Sequence, residues 1–306
     1  MQNNQSTEGK MKTGQIWWLA IRPKTLPAAA APVVVGTAVA YLDGVMQWLP
    51  ALAAMVGALC LQIGANLAND VFDYYRGADA GGRLGPLRVT QAGLLKPGSV
   101  LTGMGAAFGV AALMGLYLAW QAGWSVVWIG VASILAAIAY TGGPFPLGYY
   151  GLGDLAAFLF FGPVATCGSY YVQTGQVSRL AIWSSIPIGL LVTAILVVNN
   201  LRDIPTDSAS GKRTLAVRIG VPWTRREYAV CLAFAYLLVL GMAIVGITPI
   251  WGMLAWFSIP LSLKLARLVN RESGRALNQA LAGTGRLTLV FGVCYSVGLV
   301  IAGLIR

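Results

Sequence analysis

Two short segments of the chain carry aspartates and asparagines in a nearly repeated order. The first runs from Asn66 to Asp73, and the second runs from Asn199 to Asp207. The chain has only ten acidic residues, and half of them lie in or close behind these segments: Asp70, Asp73, Asp79, Asp203 and Asp207. Oxygen ligands of this kind favour Mg²⁺, which commonly joins one or two carboxylates to substrate phosphates. The pattern therefore predicts catalytic aspartates that hold Mg²⁺ and a polyanion.

Basic and amide side chains near both segments could bind the phosphate oxygens of such a polyanion. The residues predicted to bind a diphosphate are Arg22, Lys24, Asn66, Arg83, Arg88, Asn199, Arg202 and Lys212. Together with the aspartates they would form a diphosphate site. The alternative is that these charges cap helix ends and pair with one another.

The composition places this site in a membrane protein. The 306 residues are 57% hydrophobic and 10% charged, whereas a soluble domain carries about 25% charged residues. Apolar stretches long enough to cross a bilayer occur nine times, at 27–43, 49–70, 100–120, 124–141, 154–174, 181–201, 228–246, 250–266 and 287–304. We therefore expect an all-α integral membrane protein, a single domain over residues 1–306, with nine transmembrane helices around a central cavity.

Each acidic segment lies at the end of one of these helices, where residues three or four apart share a face. Pro205 is expected to fray the helix that carries the second segment. The two segments recur at an offset of 133 residues, which predicts two four-helix units followed by a ninth helix. Each segment precedes a long connection, at about 71–99 and 202–227, and we expect both connections to form cap loops.

The distribution of basic residues predicts the orientation in the membrane. Nineteen of the 21 lysines and arginines fall on one side of the predicted helices, and only Arg179 and Arg306 fall on the other. By the positive-inside rule, the N-terminus and both acidic segments face the cytoplasm and the C-terminus faces outside. The net charge of +11 is then explained by topology, and no nucleic-acid partner is expected. The absence of histidine excludes Ser-His-Asp chemistry and histidine-ligated metals.

A diphosphate site at the mouth of a membrane cavity implies a substrate with a lipid tail. Mg²⁺ would promote C–O cleavage, and an allylic cation would be stabilised by aromatic faces and by exclusion of water. The predicted pocket for this cation or for an acceptor comprises Tyr74, Gln91, Tyr140 and Asp154. The alternative for the glycine-rich segment 140–154 is a simple turn between helices.

Six ordered segments resemble the UbiA superfamily of intramembrane aromatic prenyltransferases, and within it the branch that uses 1,4-dihydroxy-2-naphthoate as acceptor. They are RPKTLP at 22–27, NLANDVFDYYRGAD at 66–79, GPLR at 85–88, YTGGPFPLGYYGLGD at 140–154, NNLRDIPTD at 199–207 and GKRTLAVR at 211–218. Asp79 follows Asp73 by six residues rather than by the shorter spacing of other branches, which leaves its ligand role open.

This resemblance implies a bacterial cytoplasmic (inner) membrane enzyme of menaquinone biosynthesis. Mg²⁺ held by Asp70, Asp73, Asp203 and Asp207 would bind a polyprenyl diphosphate. The prenyl group would pass to 1,4-dihydroxy-2-naphthoate with loss of CO₂ and diphosphate, giving demethylmenaquinone. Neither the prenyl chain length nor the oligomeric state follows from the sequence.

Two kinds of alternative remain at this point. Related enzymes use 4-hydroxybenzoate, homogentisate or haem as acceptor, or a phytyl donor. A protein of a different class, an ion-coupled secondary transporter, would also carry acids within its helices, although near the middle of the membrane. The acids here lie at helix ends and precede basic connections, which favours the enzyme.

Overall fold

The computed structural model describes residues 11–77 and 84–305, and within these ranges the chain contains helices and turns but no strand. The α-helices are α1 (Thr13–Ile21), α2 (Pro27–Leu42), α3 (Trp48–Tyr75), α4 (Pro97–Ala122), α5 (Ser125–Ala139), α6 (Gly153–Leu159), α7 (Ala165–Thr174), α8 (Arg179–Ala209), α9 (Leu215–Ile244), α10 (Ile259–Arg271) and α11 (Leu277–Ile305). Short 3₁₀ turns lie at Pro23–Thr25, Leu147–Tyr149, Ile250–Ser258 and Gly274–Ala276, and a π-turn at Phe160–Val164. The prediction of an all-α protein is confirmed.

The helices are long and apolar enough for an integral membrane protein. In the described residues seven helical segments qualify as membrane spans, and α1 with α2 form an eighth if this pair, bent by 53°, is one span. The predicted count of nine is not reached because α5 has only 15 residues. At a rise of 1.5 Å per residue, that helix is shorter than the hydrocarbon core of about 30 Å.

The bend between α1 and α2 is built from one strained residue and two prolines. Arg22 adopts a left-handed conformation with φ of 56°, and Pro23 and Pro27 begin the next two helical turns. Non-glycine residues seldom adopt this conformation. Asn66 of α3 holds the bend, because its amide donates to the Ile21 carbonyl and to the Thr25 hydroxyl, both at 2.9 Å. The bend brings Arg22 to the end of α3 that carries the first acidic segment.

The second acidic segment lies on a continuous helix. α8 passes through Pro187 and Pro205 and ends only at Ala209, so the prediction that Pro205 frays the helix is wrong. The residues after it continue the hydrogen-bond pattern, since the Ser210 N–H donates to the Thr206 carbonyl at 3.0 Å. Residues 202–227, predicted as a long connection, are therefore helical except for the turn between α8 and α9 and a kink at Gly220, where φ is 76°.

Close helix contacts place α6 and α7 against α8. The π-turn at Phe160–Val164 contains Pro163, which removes a backbone donor and widens the helix locally. A Cβ atom at Gly162 would lie 2.9 Å from the Cα atom of Gly189. Only glycine therefore permits this approach of the two helices. The largest buried cluster is formed mainly by side chains of α2, α8, α9 and α11, and Tyr170 of α7 belongs to it as well.

Candidate functional site

A cavity of about 730 Å³ lies among helices α2 to α8. One end is polar, with walls that include Asn66, Asn69 and Asp73 of α3 and Asn199, Asp203 and Asp207 of α8. The other end is apolar and is lined by side chains such as Val33, Ala54, Met114, Leu118, Val126 and Val172. The predicted central cavity is thus present, and its two ends match a charged head group and an apolar tail.

Among the carboxylates that line the cavity, Asp73 has the largest number of hydrogen-bond and ion-pair partners in the described residues. Its side chain is buried, and Tyr149 donates a hydrogen bond of 2.8 Å to Oδ1. Arg88 donates to Oδ2, and the Lys212 ammonium lies 3.4 Å from the same oxygen. Burial and the negative charge of Asp73 raise the pKa of the Tyr149 hydroxyl. Tyr149 is therefore a neutral phenol that donates to the carboxylate.

Asp70 has a different environment from Asp73, although both were predicted as metal ligands on one helix face. It is buried and lies outside the cavity wall. Its two carboxylate oxygens accept the backbone N–H groups of Thr90 at 3.1 Å and Val89 at 3.2 Å, and Arg22 lies 3.7 Å away. In this structure the carboxylate anchors the segment at 84–95, which also presents Arg88 to Asp73.

Arg202 connects the members of the second acidic segment. Its side chain is 0% exposed. It donates to both carboxylate oxygens of Asp203, to the side-chain oxygen of Asn199 at 2.9 Å and to that of Asn278 at 2.7 Å. Predicted to bind the diphosphate, Arg202 instead lies behind the cavity wall, and Asn199 and Asp203 line the wall in front of it.

Lys212 joins the two acidic segments. Its ammonium lies 3.4 Å from Asp73 and 3.7 Å from Asp207, and 4.7 Å from the centre of the Tyr149 ring. Gly211, with φ of 76°, provides the left-handed turn that precedes Lys212. The segments are separated by more than a hundred residues, yet they converge on one ammonium group. The predicted convergence on one cavity is therefore observed for Asp73, Asp203 and Asp207.

The predicted acceptor pocket is only partly assembled. Tyr140 lines the cavity. Asp154 is buried at the start of α6 but lies outside the cavity wall. Its neighbours Ala156 and Ala157 line the wall instead.

Several predicted residues lie away from the cavity. Tyr74 is 42% exposed and packs on Tyr75, because the residue after Asp73 points about 100° further around the helix. Lys24 and Gln91 are also exposed and lie outside the wall. These three side chains therefore do not contribute to the wall of this cavity. Asp79 and Arg83 fall outside the described residues.

Sequence reasoning missed three residues that shape the site. Asn69 lines the cavity and accepts a hydrogen bond of 2.8 Å from Thr141. Tyr149 donates to Asp73, and Asn278 accepts from Arg202. The first two lie in motifs that the sequence singled out, but Asn278 belongs to the last helix and carries no local signal.

The donor set fits a hard divalent cation. Within the described part of the chain, no group of three or more acidic, histidine or cysteine side chains is preassembled for a metal. The wall nevertheless offers the carboxylates of Asp73, Asp203 and Asp207 and the amide oxygens of Asn69 and Asn199. Mg²⁺ needs only one or two carboxylates when phosphates and water complete its shell. These oxygens suit Mg²⁺ bound together with a phosphate ligand.

The amino-acid sequence is similar to those of known proteins over most of its length. The UbiA prenyltransferase family matches residues 29–290. The 1,4-dihydroxy-2-naphthoate octaprenyltransferase of Mycobacterium tuberculosis is 41% identical over 278 residues, which cover 90% of this chain and 94% of that protein. The protein of the same name from Escherichia coli K12 is 40% identical, over 87% of this chain and 88% of the relative.

A solved structure shares the fold. The UbiA homolog from Archaeoglobus fulgidus bound to GPP and Mg²⁺ superposes with a TM-score of 0.66, covering 94% of this chain and 99% of that chain at 12% identity. The family match covers far more than half of the chain, and the fold of a solved member agrees with the arrangement of helices around the cavity. The chain belongs to the UbiA prenyltransferase family.

Proposed function

We propose that the protein transfers a polyprenyl group from a polyprenyl diphosphate to 1,4-dihydroxy-2-naphthoate, releasing CO₂ and diphosphate and giving demethylmenaquinone for menaquinone biosynthesis. The observation that carries this proposal is the cavity itself, in which a polar end with acids and cations continues into an apolar interior. The named relatives at 40–41% identity support the choice of acceptor.

The diphosphate group would lie at the polar end of the cavity. Arg22, Arg88 and Lys212 line this end together with Asn66 and Asn199, and their N–H groups can donate to phosphate oxygens. Mg²⁺ held by Asp73, Asp203 and Asp207 would draw negative charge onto the departing diphosphate. The ligand roles of Asp70 and Asp79 and the phosphate contacts of Lys24, Arg83 and Arg202 stay predictions.

The chain's own side chains prepare the site for this charge. Lys212 lies between Asp73 and Asp207, so it keeps two nearby carboxylates from repelling each other and offers an ammonium to an incoming phosphate. Tyr149 and Arg88 fix the orientation of Asp73. The prenyl tail would occupy the apolar end, which excludes water from the allylic cation, and the ring of Tyr140 offers an aromatic face to it.

The acceptor chemistry needs no histidine base. The C–O bond between the prenyl group and diphosphate breaks, and its electron pair leaves with the diphosphate. The naphthoate carbon that bears the carboxylate then forms a C–C bond to the cation. The bond to the carboxylate breaks, CO₂ departs, and its electron pair restores the aromatic ring. The product hydroquinone gives demethylmenaquinone on oxidation.

The proposal extends to the placement of the protein in the cell. We place it as a single domain in a bacterial cytoplasmic membrane, with the N-terminus and the polar end of the cavity on the cytoplasmic side. Nearly all basic residues lie on that side of the predicted spans, as the positive-inside rule requires.

The proposal is tested with the purified protein in lipid nanodiscs. Octaprenyl diphosphate is supplied with Mg²⁺ or with EDTA, and 1,4-dihydroxy-2-naphthoate labelled at its carboxyl carbon competes with 4-hydroxybenzoate and homogentisate. We expect Mg²⁺-dependent release of labelled CO₂ and a prenylated naphthoquinone. Diphosphate release with a different acceptor would overturn the acceptor assignment, and release without any acceptor dependence would overturn the transfer reaction.

A further inference from the structure

Arg202 is a fully buried cation whose contacts lie on three separate parts of the chain. It bonds to Asn199 and Asp203 within α8 and to Asn278 at the start of α11. Its guanidinium also lies against Gly85, where an added Cβ atom would be 2.7 Å from Nη2. A Cβ atom at position 85 would therefore displace this guanidinium, and the 84–95 segment packs directly on Arg202.

Asn278 is the only described side chain seen to bond both Arg202 and the 84–95 segment. Its Oδ1 accepts from Arg202 Nη1 at 2.7 Å, and its Nδ2 donates to the Leu84 carbonyl at 2.9 Å. An arginine side chain can only donate and a carbonyl can only accept, so these partners fix the orientation of the amide. A side chain of similar size makes both bonds at this position only if it carries both the donor and the acceptor of an amide.

The other part of the 84–95 segment is fixed to the first acidic segment. Arg88 donates to Asp73 and to the Asn69 carbonyl, the latter at 2.6 Å. The N–H groups of Val89 and Thr90 donate to Asp70. The segment thus contacts the first acidic segment through Arg88 to Thr90. It contacts the second directly at Gly85, which lies against Arg202, and indirectly at Leu84, which Asn278 links to Arg202.

We propose that Asn278 is a positioning residue that couples the two acidic segments for binding of the prenyl diphosphate. It holds Arg202 at a fixed position against the 84–95 segment, and through Arg202 it also positions Asp203 and Asn199. Asn278 acts through Arg202 and lies outside the cavity wall. This inference rests on the proposed function for its substrate, whereas the coupling itself concerns only contacts within the chain.

The test uses the full-length protein in nanodiscs and two readouts. Binding of a thiolo analogue of a polyprenyl diphosphate with Mg²⁺ reports on the site, and hydrogen exchange of the 84–90 amides reports on the segment. For Asn278→Ala we expect about tenfold weaker binding, as for the loss of one hydrogen bond to a charged group, together with faster exchange. The KM for the acceptor should not change.

Two further variants make the result specific. Gln279→Ala removes an exposed neighbour on the same helix, and it should match the wild type in both readouts. Asn278→Asp keeps an oxygen for Arg202 but loses the donor to Leu84, so it should bind the analogue better than Asn278→Ala while still showing faster exchange. It also tests the proposal if the alanine variant fails to fold.

The outcomes separate this inference from the proposed function. Unchanged binding and exchange in Asn278→Ala would overturn the coupling, and so would a change in only one of the two. A wild-type protein that binds the analogue but does not prenylate the naphthoate would overturn the acceptor assignment alone. Hydrogen exchange would still decide whether Asn278 holds the 84–95 segment.

Discussion

The two acidic segments look like copies in the sequence, but the structure holds them in different ways. The Asp70 and Asp73 side chains of the first segment are 1% and 2% exposed, and their partners are Arg22, residues 88–90, Tyr149 and Lys212. In the second segment, Asp203 is bonded by its own neighbour Arg202, and the Asp203 and Asp207 side chains are 15% and 12% exposed. The first is fixed by distant parts of the chain, whereas the second is fixed largely within α8.

Because of this difference, the same substitution should lower the stability of the fold more in the first segment than in the second. A carboxylate bonded by several buried donors is expensive to remove, because those donors lose their partner in a low-dielectric interior. A carboxylate that is partly open to the cavity can be replaced with less damage to folding. Stability and turnover should therefore respond in different proportions in the two segments.

The largest effect is expected for Asp73→Asn, which removes the charge shared by Arg88 and Lys212. We expect turnover to fall by at least about a hundredfold, as for loss of a group that orients the reacting charge, and thermal stability to fall as well. Prenyl transfer in nanodiscs and thermal unfolding measure both quantities.

The control for Asp73→Asn is Asp43→Asn. Asp43 is exposed, accepts a hydrogen bond from Tyr170 and lies outside the wall of the main cavity. It should keep near-normal turnover. An Asp73→Asn protein with wild-type turnover would refute the assignment of the first segment to the reaction.

The next effect concerns Lys212, which lies close to a carboxylate of each segment. Lys212→Gln removes the ammonium that lies between Asp73 and Asp207, and among the described residues only Arg88 then remains as a cation on Asp73. We expect a roughly tenfold to hundredfold rise in KM for the donor, since Coulomb attraction to phosphate is lost. Steady-state kinetics with varied donor concentration measures it.

Lys212→Arg keeps the charge and should recover part of the loss. Arg213→Gln removes an exposed neighbouring cation and should behave like the wild type. Equal KM values for Lys212→Gln and the wild type would show that the two segments work without this bridge.

A smaller effect should separate the segments by stability. Asp70→Asn places an N–H group against the backbone donors of Val89 and Thr90, which costs about 1–3 kcal/mol for an unsatisfied buried donor. Proteolysis or hydrogen exchange within 84–95 should increase. Asp203→Asn keeps an oxygen for Arg202 and should leave that segment unchanged, although turnover falls. Equal exchange in the two variants would remove the distinction between the segments.

The sequence predicted the helices and the acidic segments because both depend on local patterns. Apolar stretches and residues three or four apart are visible in the sequence, and Asp73, Asp203 and Asp207 do line one cavity. Asp70 and Asp73 were predicted on one helix face, but Asp70 is directed toward the 84–95 segment rather than into the cavity. The continuation of α8 past Pro205 was missed, since proline lowers helix propensity but does not decide tertiary context.

The contacts that organise the site could not be predicted. Tyr149 meets Asp73 across 76 residues, and Asn278 meets Leu84 across 194. No periodicity or motif links such positions. Arg202 is buried, and its hydrogen bonds go to side chains of the protein. The sequence around Arg202 does not show that this arginine is buried. Local pattern therefore identifies the chemistry, and long-range packing decides which groups face the substrate.

The smallest effect is expected from a single hydroxyl. Tyr149→Phe removes the hydrogen bond of 2.8 Å to Asp73 but keeps the ring beneath the Lys212 ammonium. One neutral donor contributes about 0.5–1.5 kcal/mol, so kcat should fall roughly threefold to tenfold while the KM for the acceptor stays constant. Tyr150→Phe alters a neighbour that is 49% exposed and should have no effect. If Tyr149→Phe has no effect on kcat either, Arg88 and Lys212 alone orient Asp73, and the first segment depends on fewer distant contacts than its burial indicates.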